Sequence, residues 1–375
     1  MKKIMIFYSS YGGGHLSAAR AIKEFIENNY NDVEIQMIDC IEYVNKTLNK
    51  VTTKAYSDMA KIAPKAWGFI YKTSESGIVG RFSIDINKLM AIKLNKLLRE
   101  FQPSYVISTH PFSSFMCAYL KKKGKCNFHL STVMTDFAPH DQWLMYPDFV
   151  NLFFVAHDGM KNDLVSKGID KNKIYVSGIP LSDRFLKQYN KEDILNELNF
   201  KANIKTVLFF GGGKMGLGKS RTLEILKILA SDFPNSQIIA ISGKNKEMYE
   251  NFNEIVINNN RENSIKVLEF SEQIPELMSI SDIVITKPGG LTTTESLASN
   301  LPMIIINPIP GQEEENAEFL ENNEVGIWLK KNDNIKEKLK DILSNSKELD
   351  RMKENTRKLA KPHSTENICK TIFKD

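Results

Sequence analysis

The chain has 375 residues, 42% of them apolar and 25% charged, with 50 basic against 45 acidic side chains. This is the balance of a globular protein of two or three domains, and no apolar run approaches the roughly 20 residues that span a bilayer. The stretch "IMIFY" after Lys2 and Lys3 is too short for a signal peptide, so a cytoplasmic protein is expected. Cys40, Cys117, Cys126 and Cys369 lie far apart, with no CxxC and no histidine at ligand spacing, and are expected to be buried reduced thiols.

Strand-like and helix-like runs alternate along the chain. "IMIFY" is followed by a Gly-rich turn, a helix from about His15 to Asn29 and the strand "VEIQMID". From Glu42 to Glu100, eleven basic residues stand against five acidic ones, more net positive charge than the whole chain carries. There Lys46, Lys50 and Lys54 recur every four residues, on one helical face, with Tyr43, Tyr56, Trp67, Phe69, Tyr71 and Phe82 interleaved. Such a surface suits an anionic membrane, where each basic residue adds about 1 kcal/mol, and equally a solvated helix over core aromatics.

Next come "SYVIST", a helix over Pro111 to Lys123, "FHLSTVM" and "NLFFVA". A second series follows: "KTVLFF", "SQIIAIS", "IKVLEF", "DIVIT" and "PMIIIN", each leading into a helix or turn. The fold class is therefore α/β with parallel sheets, in two Rossmann-type halves joined near Val176 to Phe185 or in the polar stretch to Asn203. A charged helical tail runs from about Lys347 to Lys374, with Pro362 as its break.

Three Gly-rich turns carry the chemistry. "GKMGLGKS", residues 213–220, spells a P-loop between a strand and a helix. An ATPase also needs an Asp closing a neighbouring strand to hold magnesium, and the strands that follow end at Ser242, Glu269, Thr286 and Asn307, of which only Glu269 could be argued. "SSYGGGH", residues 9–15, and "TKPGGLTTTES", residues 286–296, also close a strand and open a helix, the latter with Thr292 or Thr293 as N-cap. Each alone fits tight strand-to-helix geometry; in tandem halves, facing a common cleft, they jointly point to an anion or substrate.

The stretches "YSSYGGGHLSAARAI", "MTDFAPHDQW", "KIYVSGIPLSDRF", "FFGGGKMGLGK" and "TKPGGLTTTESLASNLPMIIINPIPGQEEENAEFL" occur in this order. Together they resemble the monogalactosyldiacylglycerol synthase and processive diacylglycerol β-glucosyltransferase family, over nearly the whole chain. The resemblance implies a GT-B fold, two Rossmann-like domains facing a central cleft. Residues 1–185 would form an acceptor- and membrane-binding domain, 186–350 a UDP-sugar-binding domain, and 351–375 a helical tail packing back on the N-terminal domain. It implies inverting transfer of glucose, with galactose less favoured, from a UDP-sugar to the hydroxyl of 1,2-diacylglycerol. The partners would be the UDP-sugar, the diacylglycerol and an anionic membrane, with no nucleic acid, and the place the inner face of the cell membrane, held peripherally. The alternatives are transfer of N-acetylglucosamine to a polyprenyl-linked acceptor, a sugar-nucleotide-binding protein without catalysis, and last a P-loop ATPase.

Residue by residue, His15 is the candidate base, at a helix start whose positive dipole end disfavours imidazolium. Asp136 and His140 match a second motif, to orient the base or the acceptor or to form a structural turn. No Asp-x-Asp occurs, so neither a metal nor another cofactor is expected, and the diphosphate falls to Gly212, Gly213, Gly289, Gly290 and Thr292, with help from Lys214. Lys219 reads as a solvated first-turn residue. Glu295 matches the family's ribose carboxylate, Gln312, Glu313 and Asn316 its sugar-hydroxyl contacts, and Phe270 the position where uracil is read by backbone groups. Lys46, Lys50, Lys54, Trp67, Phe69 and Phe82 are the membrane and acceptor candidates.

Overall fold

A computed structural model describes residues 1–10, 13–44, 78–211 and 218–374, with the backbone alone for 78–89. The chain divides into two compact units, the first made of 1–183, 310–312 and 361–375, the second of 184–309 and 313–360. Each holds one six-stranded sheet with every recorded pairing parallel.

In the first unit the strands are β1 (Lys2–Tyr8), β2 (Val33–Asp39), β3 (Tyr105–Ser108), β4 (His129–Val133), β5 (Leu152–Val155) and β6 (Ile174–Val176), in the order β2-β1-β3-β4-β5-β6. Parallel strands need crossovers, and helices laid on both faces bury the sheet, so its central strands read as unbroken apolar runs. Ile4, Met5, Ile6 and Phe7 of β1 are accordingly all buried. The helix Gly13–Asn29 buries Ala18, Ile22 and Ile26, four residues apart on one face. Ile22 and Ile26 join Ile107, Val133 and Phe154 in a core that the last helix, Ser364–Ile372, completes with Ile368, Cys369 and Ile372.

That last helix is clasped by the segment after β6. Thr365 Oγ1 donates to the Leu181 carbonyl at 2.7 Å and accepts from the Leu181 amide at 2.8 Å. Gly178 makes the approach possible, with φ +85° and the position of a Cβ only 2.5 Å from Lys361 Cβ.

The second unit contains β7 (Thr206–Phe210), β8 (Gln237–Ile241), β9 (Ile265–Leu268), β10 (Ile283–Thr286), β11 (Met303–Ile305) and β12 (Gly326–Trp328), in the order β12-β11-β10-β7-β8-β9. Its core runs from Val207 and Phe209 through Ile225, Leu229, Phe252 and Ile285 to Leu339 and Leu349. Arg261 closes one end: its guanidinium donates to the carbonyls of Ala230 and Phe233 at the end of the helix Lys219–Asp232 and to that of Ser236. Cationic donors there satisfy carbonyls that the helix itself leaves open.

Ten of the twelve strands fall on runs that the sequence marks; β6 and β12, three residues each, do not, whereas β11, equally short, lies inside the longer apolar run "PMIIIN". The charged tail is two helices, Ser346–Leu359 and Ser364–Ile372, with the interruption around Pro362. Residues 346–360 lie in the second unit and only 361–375 in the first. Cys40, Cys117 and Cys369 are buried, but Cys126 is only half-buried. Among the described residues, no helix is long and apolar enough to cross a membrane.

The two sheets share one feature that locates function. In the first, strand order reverses beside β1, which lies between β2 and β3; in the second it reverses beside β7, between β10 and β8. At such a point the connections leaving two neighbouring strands part to opposite faces and open a crevice at the strands' carboxyl ends.

Candidate functional site

In the first unit the turn after β1 and the turn after β3 meet at His15. Its Nδ1 lies 2.7 Å from the Thr109 carbonyl oxygen and 2.9 Å from Thr135 Oγ1. A carbonyl can only accept, so Nδ1 carries the proton and Nε2 is left with its lone pair. Thr109 returns the contact, its hydroxyl donating to the His15 carbonyl at 2.9 Å. Burial pushes the imidazole down to about 4, against the opposing Thr109 hydrogen bond. The ring is thus neutral at physiological pH, in the tautomer a proton acceptor needs.

Neighbouring turns are fastened to this point. Asp39, at the end of β2, accepts from the Ser10 amide and hydroxyl and from the amides of Ile41 and Glu42, tying the β1 turn to a helix start. Asp136 and His140 are buried in the connection after β4. His157 donates from Nε2 to the Phe137 carbonyl at 2.8 Å and fixes that connection's path. The imidazole of His140 is pushed down to about 4 by burial, with His15 adding to the effect.

One residue that the sequence reading passed over lies in the same cluster. His110 is buried, and its ring meets that of His15 edge-on at 4.5 Å between centroids. A signal was available: His-Pro between a strand and a helix puts Pro111 at a first helical position and His110 at the N-cap. Thr109 and Thr135, which hold His15, carried no such mark.

In the second unit the helix Gly290–Ala298 follows β10 and directs its free N-terminal amides to the switch point. Its N-cap is Gly289, with φ −66° and ψ 144°, and not Thr292 or Thr293 as the sequence suggested. The helix begins earlier because Gly289 already accepts the Thr293 amide, while Thr294 and Ser296 turn their hydroxyls back onto the Gly290 and Thr292 carbonyls. Glu295 is half-buried in this helix, and burial raises its carboxyl to about 8.

Glu313 stands across from this turn: the position of a Cβ on Gly289 is 3.9 Å from Glu313 Oε1. Its other oxygen accepts from the Ile309 amide at 2.7 Å. Burial raises the Glu313 carboxyl and lowers the Lys287 ammonium, and the two oppose those shifts in each other. Lys287, another residue the sequence left unassigned, is thus electrically coupled to this carboxylate. Asn316 is fully buried, and its amide donates to the Pro288 carbonyl at 2.9 Å, which commits that donor to holding the turn. Gln312 opens the helix Gln312–Asn322 and is half-buried.

Phe270, just beyond β9, is 59% exposed, with Lys244 Nζ 4.9 Å from its ring centroid. Lys219 pairs with Glu247 at the start of the following helix. Gly218, its neighbour, caps the helix Lys219–Asp232 with φ +75° and packs against Asn307, which donates to its carbonyl. Gly212, Gly213 and Lys214, with Lys46, Lys50, Lys54, Trp67 and Phe69, lie outside the described residues, as does the side chain of Phe82.

Two tandem Rossmann-type units, each with a glycine-rich turn and polar side chains at its switch point, define a protein of GT-B architecture. Solved structures agree in fold: Acinetobacter baumannii MurG matches with a TM-score of 0.68 at 13% identity over all of both chains. A Staphylococcus aureus MnaA–UDP structure matches at 0.65 and 13%, over 99% of this chain and 96% of that one. Residues 15–181 match the monogalactosyldiacylglycerol (MGDG) synthase family, and residues 190–359 match the group 1 glycosyl transferases. The processive diacylglycerol β-glucosyltransferase of Bacillus subtilis is 29% identical over 100% of this chain and 95% of its own length. That of Staphylococcus epidermidis is 28% identical over 99% and 92%. The chain is a glycosyltransferase, similar over its whole length to the processive diacylglycerol glucosyltransferases and over its first half to the MGDG synthases.

Proposed function

We propose that this enzyme transfers glucose from UDP-glucose to the hydroxyl of 1,2-diacylglycerol with inversion, building a membrane glycolipid. Full-length similarity to proteins named for that reaction supports the acceptor and the sugar. The observation that carries the chemistry is the His15 Nδ1 to Thr109 carbonyl bond, which leaves Nε2 unprotonated at the switch point of the first unit.

In this reading His15 Nε2 takes the proton of the acceptor hydroxyl as its oxygen attacks the anomeric carbon, and the bond from that carbon to the diphosphate breaks on the opposite face. The electron pair leaves with UDP. Charge growing on the diphosphate is met by the N-terminal amides of the helix Gly290–Ala298 and by Gly212, Gly213, Thr292 and Lys214. Glu295 receives the ribose hydroxyls, Gln312 and Glu313 the sugar hydroxyls, with Asn316 bracing the turn beneath them, and uracil lies by Phe270. Asp136 and His140 shape the acceptor side. No metal or other cofactor is required, since amides and a helix end do the work of a divalent ion.

The enzyme docks peripherally on the inner face of the cell membrane through the basic, aromatic stretch 42–100, using Lys46, Lys50, Lys54, Trp67, Phe69 and Phe82. The test is transfer of radiolabel from UDP-glucose, and in parallel UDP-galactose, to diacylglycerol in anionic vesicles, with and without EDTA and with His15→Ala. Labelled lipid from UDP-glucose that survives EDTA and vanishes in the variant is expected. No lipid product from either donor, with UDP still bound, overturns the reading; loss in EDTA overturns its metal-free form. Reversing the charge of Lys46, Lys50 and Lys54 should reduce binding to anionic liposomes at unchanged UDP affinity.

A further inference from the structure

We propose that His110 is a positioning residue, whose ring, packed in a T-shaped contact with that of His15, fixes its tilt and so aims Nε2 at the acceptor hydroxyl. The inference rests on His15 being the base. His110 Nδ1 accepts the Phe112 amide at 3.2 Å and so caps the helix Pro111–Lys122. Its proton therefore sits on Nε2, and the ring cannot turn without losing the cap. Held this way, it meets the His15 ring at 4.5 Å and 76°, while the Phe112 ring packs on it at 4.9 Å and 62°.

His15 needs such a stop. The hydrogen bonds of its ring are both at Nδ1, to Thr109 and Thr135; they oppose a turn of the ring as the Phe112 amide does at His110, but they act at one nitrogen only, and Nε2 shifts with any small change of tilt. Thr109 and His110 are adjacent, so one turn supplies both the anchor and the stop, and a misplacement of about 1 Å is enough to cost a hundredfold in rate.

The contact is not an ion pair. His110 is faced by His15 and His140, and His140 in turn by Asp141 and Lys167. Burial lowers all three imidazoles, so at neutral pH two uncharged rings meet.

Capping and positioning separate in two substitutions. His110→Asn keeps an N-cap acceptor and removes the ring; His110→Phe keeps an aromatic ring and removes the cap. If the ring positions His15, His110→Asn melts near the native temperature yet loses at least tenfold in kcat with little change in KM for UDP-glucose. His110→Phe then melts lower and recovers most of that rate. The opposite pairing, or native kcat in His110→Asn, overturns the proposal and leaves His110 a cap.

A second readout does not depend on turnover. In histidine-labelled protein followed by NMR, His15 should titrate closer to its ordinary value in His110→Asn than in the native enzyme, because water reaches the vacated side. Native titration behaviour in that variant overturns the proposal even if the enzyme makes no glycolipid. Absence of transfer in the native enzyme, with His15 titrating as expected, counts against the functional reading alone.

Discussion

At the switch point of the first unit a basic side chain is held neutral by burial and pinned through a backbone carbonyl; in the second, on the helix that leaves the switch point, burial raises the pKa of an acidic side chain. Burial selects the uncharged form in both, but the consequences differ. Neutral imidazole is the form that accepts a proton, so the first site is ready before substrate arrives. In the role proposed for Glu295 a neutral carboxyl is the poorer acceptor for ribose hydroxyls, so on that reading the second site would reach its working state only as donor binds and a proton leaves.

The sharpest test of this division is His15→Ala. Loss of a general base costs about 10² to 10⁴ in rate. That loss should appear in kcat while calorimetric affinity for UDP stays within twofold. A parallel fall in UDP affinity would break the comparison, because the two sites would then not be separable. Glu295→Ala should do the converse. A hydrogen-bonded charged group is worth about 1.5–3 kcal/mol, so the Kd for UDP-glucose should rise by about ten- to a hundredfold, with kcat at saturating donor changed far less.

The sequence shows these two sites unequally. Long apolar strands, the glycine turns and the order of the motifs announce both sheets, because fully buried parallel strands cannot hide their composition. His15 is visible as a polar residue just after such a turn, and Glu295 through the motif that resembles the family's. What holds them is not. Thr109 acts through its carbonyl, which every residue type possesses, and the His15–His110 contact joins positions 95 apart in the chain, which no local pattern encodes. The N-cap at Gly289 was misread because two threonines looked like better caps, while their neighbours Thr294 and Ser296 bond backward inside the helix.

A structural substitution should respect the same division. Gly178→Ala places a methyl 2.5 Å from Lys361 Cβ and asks alanine to adopt φ +85°. Strain of this kind costs about 1–3 kcal/mol, and it falls on the clasp between the segment after β6 and the last helix, within the first unit. Thermal unfolding should move down by several degrees while the Kd for UDP-glucose at 25 °C remains native. A loss of donor affinity equal to that of Glu295→Ala would show that the second unit's site depends on this clasp.

The smallest effect is the one that most directly separates the two kinds of burial. His15 lies near 4, below its ordinary 6.5, so it stays unprotonated as pH falls through 6.5, and kcat/KM should lose its His15-dependent part only on approach to pH 4. Glu295 lies near 8, above its ordinary 4.5, so the free enzyme carries its proton at pH 7. If Glu295 receives the ribose hydroxyls as proposed, they donate to the ionised carboxylate and lower its pKa in the complex, so binding should expel that proton and affinity should climb with pH until about 8, then level. Between pH 7 and 8 the gain is below the tenfold limit that one proton sets per unit. UDP-glucose is the probe to use, since its diphosphate has no proton to exchange in this range, and calorimetry in buffers of different ionisation heat counts the proton released. A pH-independent affinity, with no proton expelled, would mean that the carboxylate is already ionised in the free protein, and that both sites wait for their substrates in finished form.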